Sequence, residues 1–174
     1  MADGTDGLTL RPATSADVGF LAELYADDDV RPFLAASGRY DADAFRERIA
    51  EEPDRGGLVV FELGGERAGA MSWTLANERS RIARLGGLAV HPAFRGRRLA
   101  DAAARLLQRH LLVERGLHRL ELEVYGFNER GQRHAERAGF VREGVKRKAY
   151  FRDGEWVDSV TYALLAEDLD GAAS

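Results

Sequence analysis

The sequence has no cysteine, only four prolines and no apolar run long enough to cross a bilayer. Without thiols, a disulfide framework, a thiolate zinc site and a cysteine nucleophile are all excluded. The opening residues, Met-Ala-Asp-Gly-Thr-Asp-Gly, lack the basic start and apolar run of a signal peptide, so a soluble, cytoplasmic protein without a membrane partner is expected. A basic excess is missing too. The formal net charge of −4 argues against nucleic acid as a general partner, because phosphate backbones demand a concentrated basic surface. An acidic balance suits a cationic or amine substrate, but only weakly. At 174 residues the chain is long enough for one domain with its own core, with no metal required to hold it.

What the chain does contain is Leu88-Ala-Val-His-Pro-Ala-Phe-Arg-Gly-Arg-Arg-Leu-Ala100, running on into Asp101-Ala-Ala-Ala-Arg-Leu-Leu107. An apolar strand stops at Pro92, passes through a basic loop and becomes a helix at Leu99. The N–H groups of a first helical turn have no intrahelical partner, and the macrodipole is positive there, so the loop suits a phosphate. Arg95, Arg97 and Arg98 add charge around Gly96, and Leu99 and Ala100 supply the first helical amides.

Periodicity and turn residues order the rest. Leu8–Pro12 reads as a strand, and Thr14 with Asp17 as a capping box for a helix that buries Val18, Leu21, Leu24 and Tyr25. A second helix is predicted over Asp41–Ala50, and Leu58–Leu63 with Arg67–Leu75 makes a hairpin around Gly64-Gly65. Then follow a strand over Arg81–Val90, a helix over Leu99–Glu114, a strand over Leu120–Tyr125 and a helix over Asn128–Arg137 closed by Gly139. A last hairpin pairs Val141–Phe151 with Glu155–Leu164. This order predicts one α+β domain over residues 8–166, a mixed, mostly antiparallel sheet flanked by helices, between loosely held ends at 1–7 and 167–174.

The basic loop resembles the cofactor signature of the GNAT N-acetyltransferases, R/Q-x-x-G-x-G/A, with Arg95 first, Ala100 last and Arg98 where the middle glycine is expected. From Arg84 to Leu165 the chain is similar to the branch holding the ribosomal-protein (Rim-type) and spermidine acetyltransferases. The resemblance is carried by Leu117-His-Arg-Leu-Glu-Leu-Glu-Val124, Asn128-Glu-Arg, Ala138-Gly-Phe-Val-Arg-Glu-Gly144 and Tyr150-Phe-Arg-Asp-Gly-Glu-Trp-Val-Asp158. It implies the GNAT fold and acetyl-CoA as cofactor. The pyrophosphate would lie on the loop amides, the pantetheine arm on the backbone of Leu88, Ala89 and Val90, and Asn128 would bond the arm. Arg133 is a further candidate for a CoA phosphate. The resemblance also leaves a homodimer through terminal strands open.

Amine acetylation needs a neutral amine, a polarised thioester carbonyl and a path for protons. The family's proton-handling positions are not kept: the usual tyrosine is Ala135, the Rim-type serine is Gly131, the acidic residue of the fourth strand is Arg84, and the glutamate before the hairpin glycine is Tyr150. Alternation puts Glu121 and Glu123 on one strand face, which makes them candidate bases, and Tyr150 is the candidate phenol. Asp158 shares a predicted face with Trp156, Val160 and Tyr162, so it should sit among apolar neighbours and need a partner, as an anchor for the hairpin or a substrate contact. The leading reading is an acetyl-CoA-dependent transferase acting on a primary amine, either a protein N-terminus or a small molecule. The departures motivate a rival, a non-catalytic CoA-binding module, and the Lys146-Arg147-Lys148 run motivates an RNA- or ribosome-associated one.

Overall fold

The computed structural model describes residues 6–35, 38–50 and 53–171. Seven strands share one sheet in the hydrogen-bonded order β1-β2-β3-β4-β5-β7-β6. β1 (Leu8–Pro12), β2 (Gly56–Leu63) and β3 (Glu66–Asn77) pair antiparallel in turn. β5 (Arg119–Tyr125) and β6 (Val141–Arg152) both pair antiparallel with β7 (Glu155–Leu165), while β4 (Ile82–Val90) and β5 are parallel. The sheet is therefore mixed and mostly antiparallel, as the element order predicts.

The chain divides into two compact units, Met1–Thr74 with Gly86–Leu106 and Leu75–Leu85 with Leu107–Ser174. In the first, α1 (Val18–Ala26) and α2 (Ala42–Ala50) bury Leu21, Leu24, Tyr25 and Phe45 in one cluster with Leu58, Val60, Ala70 and Ala89. The predicted capping box forms: the Thr14 N–H and hydroxyl both donate to Asp17 Oδ2, at 2.8 and 3.1 Å. A 3-10 turn over Ser15–Asp17 intervenes before α1. Asp17 is buried and is held by Arg11, whose guanidinium makes two bonds to it at 2.7 and 2.9 Å and a third to Glu62.

α3 (Leu99–Arg109) buries Leu99, Ala103, Ala104, Leu107 and Gln108 along one face. Sequence periodicity predicts this helix to Glu114, but its last turn, His110–Glu114, is π-wound, with Arg115 N bonded to His110 O. Leu111 and Leu112 of this turn are buried.

In the second unit β5 and β7 carry a buried face of Leu120, Val160, Tyr162 and Leu164. α4 (Glu129–Arg137) is capped by Asn128, whose Oδ1 accepts from Gly131 N at 2.9 Å, and ends at Gly139 with φ +93°. α5 (Ala166–Gly171) follows β7, so the segment predicted as loose from 167 begins as a helix, while residues 1–5 and 172–174 lie outside the described residues.

One expectation changes on the last hairpin. Asp158 does not sit among apolar neighbours, because coverage of that face stops at Val160; Asp158 is exposed and Trp156 is 62 % exposed. Its partner is backbone: Asp158 Oδ1 accepts from Lys148 N at 2.8 Å, pinning a bulge in which Lys148 takes φ +49°.

Candidate functional site

In the first unit the basic loop is built around two residues of positive φ, Gly96 at +79° and Arg98 at +55°. Arg98 thus holds a left-handed conformation that glycine adopts freely, at a steric cost of about 1 kcal/mol for a side chain with a Cβ. Helical bonding begins at Ala102 N to Arg98 O, so the amides of Leu99, Ala100 and Asp101 precede the first helical hydrogen bond. Arg97 and Arg98 are exposed beside them, and the Arg97 guanidinium lies over the Phe94 ring at 5.4 Å. The set fits a phosphate.

Arg95 is placed differently from its neighbours. Its guanidinium bonds Asp27 Oδ1 at 2.7 Å, Asp29 Oδ2 at 2.8 Å and the carbonyl of Val90 at 3.2 Å. This ties the loop to the end of α1 and to the end of β4. The Arg95 bond, working against some desolvation, holds the Asp27 carboxyl below its usual range. His91, whose Nδ1 accepts from Ala93 N at 3.3 Å, serves the same turn.

β4 presents its backbone by alternation. A methyl group on Gly69 of β3 would lie 2.3 Å from the carbonyl oxygen of Ala89, so that carbonyl faces β3. The peptide groups of Leu88 and Val90 consequently face the other edge. Ladder pairing between β4 and β5 runs from Ile82–Arg119 to Arg84–Glu121.

In the second unit two of the predicted proton carriers meet. Tyr150 donates its phenol proton to Glu123 Oε2 at 2.8 Å, and Ser159 Oγ donates to the same oxygen at 3.0 Å. The ammonium of Lys146 sits on the other oxygen. Burial opposes the charge on Glu123, whose side chain is 18 % exposed, but the three donors prevail and hold its carboxyl below the ordinary glutamate value. Burial, and then the bond to Glu123, push the Tyr150 phenol up to about 12. The ring stands edge-on to Tyr125 at 5.5 Å. Glu121 is turned to arginines, bonded to Arg119 at 2.8 Å with Arg84 at 3.9 Å. Arg133 is exposed and pairs with Glu129 at 3.2 Å. A methyl at Gly131 would meet Asn128 Nδ2 at 2.5 Å, so the Asn128 cap fills the space a serine there would need.

Sequence reasoning found Glu123 and Tyr150 singly but missed their partners Lys146 and Ser159, and Asp27 and Asp29 behind Arg95. No local signal marks these, since each contact joins residues far apart in the chain. Among the described residues no group of three His, Asp or Glu side chains is arranged to hold a metal, and no helix is long and apolar enough to cross a membrane.

The Acetyltransferase (GNAT) domain model matches residues 7–141. The chain belongs to the GNAT acetyltransferase family. This N-acetyltransferase is 29 % identical over 168 residues to "SPbeta prophage-derived uncharacterized N-acetyltransferase YokL" of Bacillus subtilis, a match covering 95 % of this chain and 93 % of that one. It is 28 % identical over 173 residues, 94 % of each chain, to "Putative ribosomal N-acetyltransferase YdaF" of the same organism. The fold is shared with the spermidine N-acetyltransferase of Vibrio cholerae solved in complex with CoA and spermine, at a TM-score of 0.81 and 20 % identity over 94 % of this chain and 98 % of that one.

Proposed function

We propose that this acetyltransferase uses acetyl-CoA to acetylate a primary amine, on a protein N-terminus or a small molecule, by direct attack in a ternary complex. The observation that carries the reading is Arg98. A non-glycine residue held in the left-handed region at the mouth of a helix is strain kept at a place where it shapes a binding loop.

The amides of Gly96, Arg97, Arg98, Leu99 and Ala100 would hold the pyrophosphate, with the Arg97 and Arg98 side chains adding charge and Arg95 bracing the loop. Leu88, Ala89 and Val90 would offer backbone to the arm of the cofactor, and Asn128 and Arg133 are further contacts. The cofactor supplies an activated acyl thioester. An amide of the Leu88–Val90 segment would polarise the thioester carbonyl for attack by the amine, with the thiolate as leaving group. Glu123 would serve as the base for the amine proton, and Tyr150, bonded to it, would donate a proton or position the substrate, with solvent supplying a proton to the leaving sulfur. Glu121, committed to Arg119, stands in reserve as a carboxylate of the same strand.

We assign self-association to the Val141–Val145 end of β6. The Lys146–Lys148 run and its bulge block edge pairing beyond it. Sedimentation velocity tests this.

Calorimetry with acetyl-CoA, followed by thiol release over an amine panel, tests the function. Micromolar binding lost in R97A/R98A, with amine-dependent thiol release, is expected; absence of binding would overturn the reading.

A further inference from the structure

Gly87 of β4 leaves the extended conformation and takes φ +62°, and two hydroxyl groups close on the carbonyls of Gly86 and Gly87. Tyr25 Oη donates to the carbonyl of Gly87 at 2.5 Å, and Ser72 Oγ donates to the carbonyl of Gly86 at 3.1 Å. A methyl group on Gly87 would lie 3.3 Å from Tyr25 Oη and 3.4 Å from Ser72 Oγ, so both hydroxyls reach the same pair of peptides.

In a trans peptide the C=O of one residue and the N–H of the next point in opposite directions. Holding the Gly87 carbonyl on Tyr25 therefore fixes the Leu88 N–H on the far side. Packing does not require the hydroxyl. The Tyr25 ring is 2 % exposed, wedged 5.6 Å from Tyr40 and 5.5 Å from Phe45, and phenylalanine would fill the same space. Burial pushes the phenol well above its ordinary range, so it remains a protonated donor.

We propose that Tyr25, seconded by Ser72, is a positioning residue for acetyl transfer: by holding the Gly87 peptide it aims the Leu88 amide at the carbonyl to be polarised. This rests on the reading of Leu88–Val90 as the carbonyl-binding segment. Tyr25 acts through the backbone and touches no substrate.

The test compares the full chain with Tyr25→Phe, Ser72→Ala and a packing control, Phe45→Leu. Removing an entire oxyanion donor costs about 100- to 1,000-fold in kcat, so tilting one should cost about tenfold. Y25F is expected to lose that in kcat with the KM for acetyl-CoA within about twofold. Ser72→Ala should lose less. In the substrate-free protein, amide hydrogen exchange at Gly87 and Leu88 should quicken about fivefold in Y25F, the effect of one lost hydrogen bond. F45L should lower Tm yet leave kcat and exchange at those two amides unchanged.

Wild-type kcat in Y25F, unchanged exchange at Gly87 and Leu88, or an equal kcat loss in F45L would each overturn the proposal. If the wild-type chain releases no thiol with any amine, the acetyl-transfer reading has failed. Exchange then decides the positioning claim alone: quickening supports a held peptide and no change overturns it.

Discussion

Arg95 Nη2 lies 2.7 Å from Asp27 Oδ1, and the same guanidinium reaches Asp29 and the Val90 carbonyl, so the first residue of the phosphate signature spends its charge on its own protein. Its service to a ligand is to hold the loop in place. The double variant D27N/D29N should therefore weaken acetyl-CoA binding severalfold, in the same direction as R95A. Were Arg95 a direct phosphate ligand, releasing it from two carboxylates would tighten binding instead. Calorimetry on the three proteins separates these outcomes.

Arg98 carries a backbone cost that glycine would not. Relief of the left-handed penalty, less the extra chain entropy of glycine, predicts that Arg98→Gly raises stability by up to about 0.5 kcal/mol. Arg98→Val should lower it, since a branched Cβ fits φ > 0 worst. Urea denaturation reads both, and equal stability of the Gly and Val variants would contradict the strain.

The buried Asp17 makes the fold acid-sensitive. Its bonds to Arg11 lead, with desolvation opposing and the Thr14 donors assisting, and together they hold the carboxyl well below the usual range. A carboxyl depressed in the fold contributes all its stability above the ordinary value of about 3.9 and loses it as pH falls through the lower folded value. Asp17→Ala should cost about 3 kcal/mol at neutral pH, because it leaves Arg11 half-buried without its main partner. The gap to wild type should shrink as pH falls below about 4. Denaturation midpoints at neutral and acid pH measure it.

Burial, and then its bond to Glu123, push the Tyr150 phenol up to about 12. Glu123→Gln removes the second cause only. The phenol should drop toward its ordinary value of about 10 yet stay above it. Tyrosinate absorbance of E123Q against an E123Q/Y150F control follows that one ring. In turnover, Y150F should lower kcat by about tenfold or more as a proton carrier is lost. An unchanged kcat would remove Tyr150 from the proton path.

Much of this protein is written locally. The strand, helix and hairpin sequence follows from periodicity and from punctuation by Gly64-Gly65, Pro92, Gly139 and Asp153-Gly154, since each works within a few residues. The same local reading located the helix-opening loop and Asn128 as a cap. It did not reach the π-wound turn at His110, because apolar periodicity does not distinguish a π turn from a last α turn.

Long-range contact decided the rest. Alternation put Asp158 on an apolar face, but how far that face is covered is a property of packing, and the residue lies exposed on the Lys148 bulge. A list of basic residues gave Arg95, Arg97 and Arg98 equal standing. Only the fold, which brings Asp27 and Asp29 across more than sixty residues of sequence, makes Arg95 a brace and leaves the other two exposed. Glu123 and Tyr150 become a hydrogen-bonded pair by the same means, through β7, which joins their strands side by side. Sequence by itself thus determined the elements, the loop and the family resemblance, because those depend on neighbours along the chain. Tertiary structure alone decided which charges are spent and which protons are shared, because a charge is neutralised by whatever lies within a few ångströms in space.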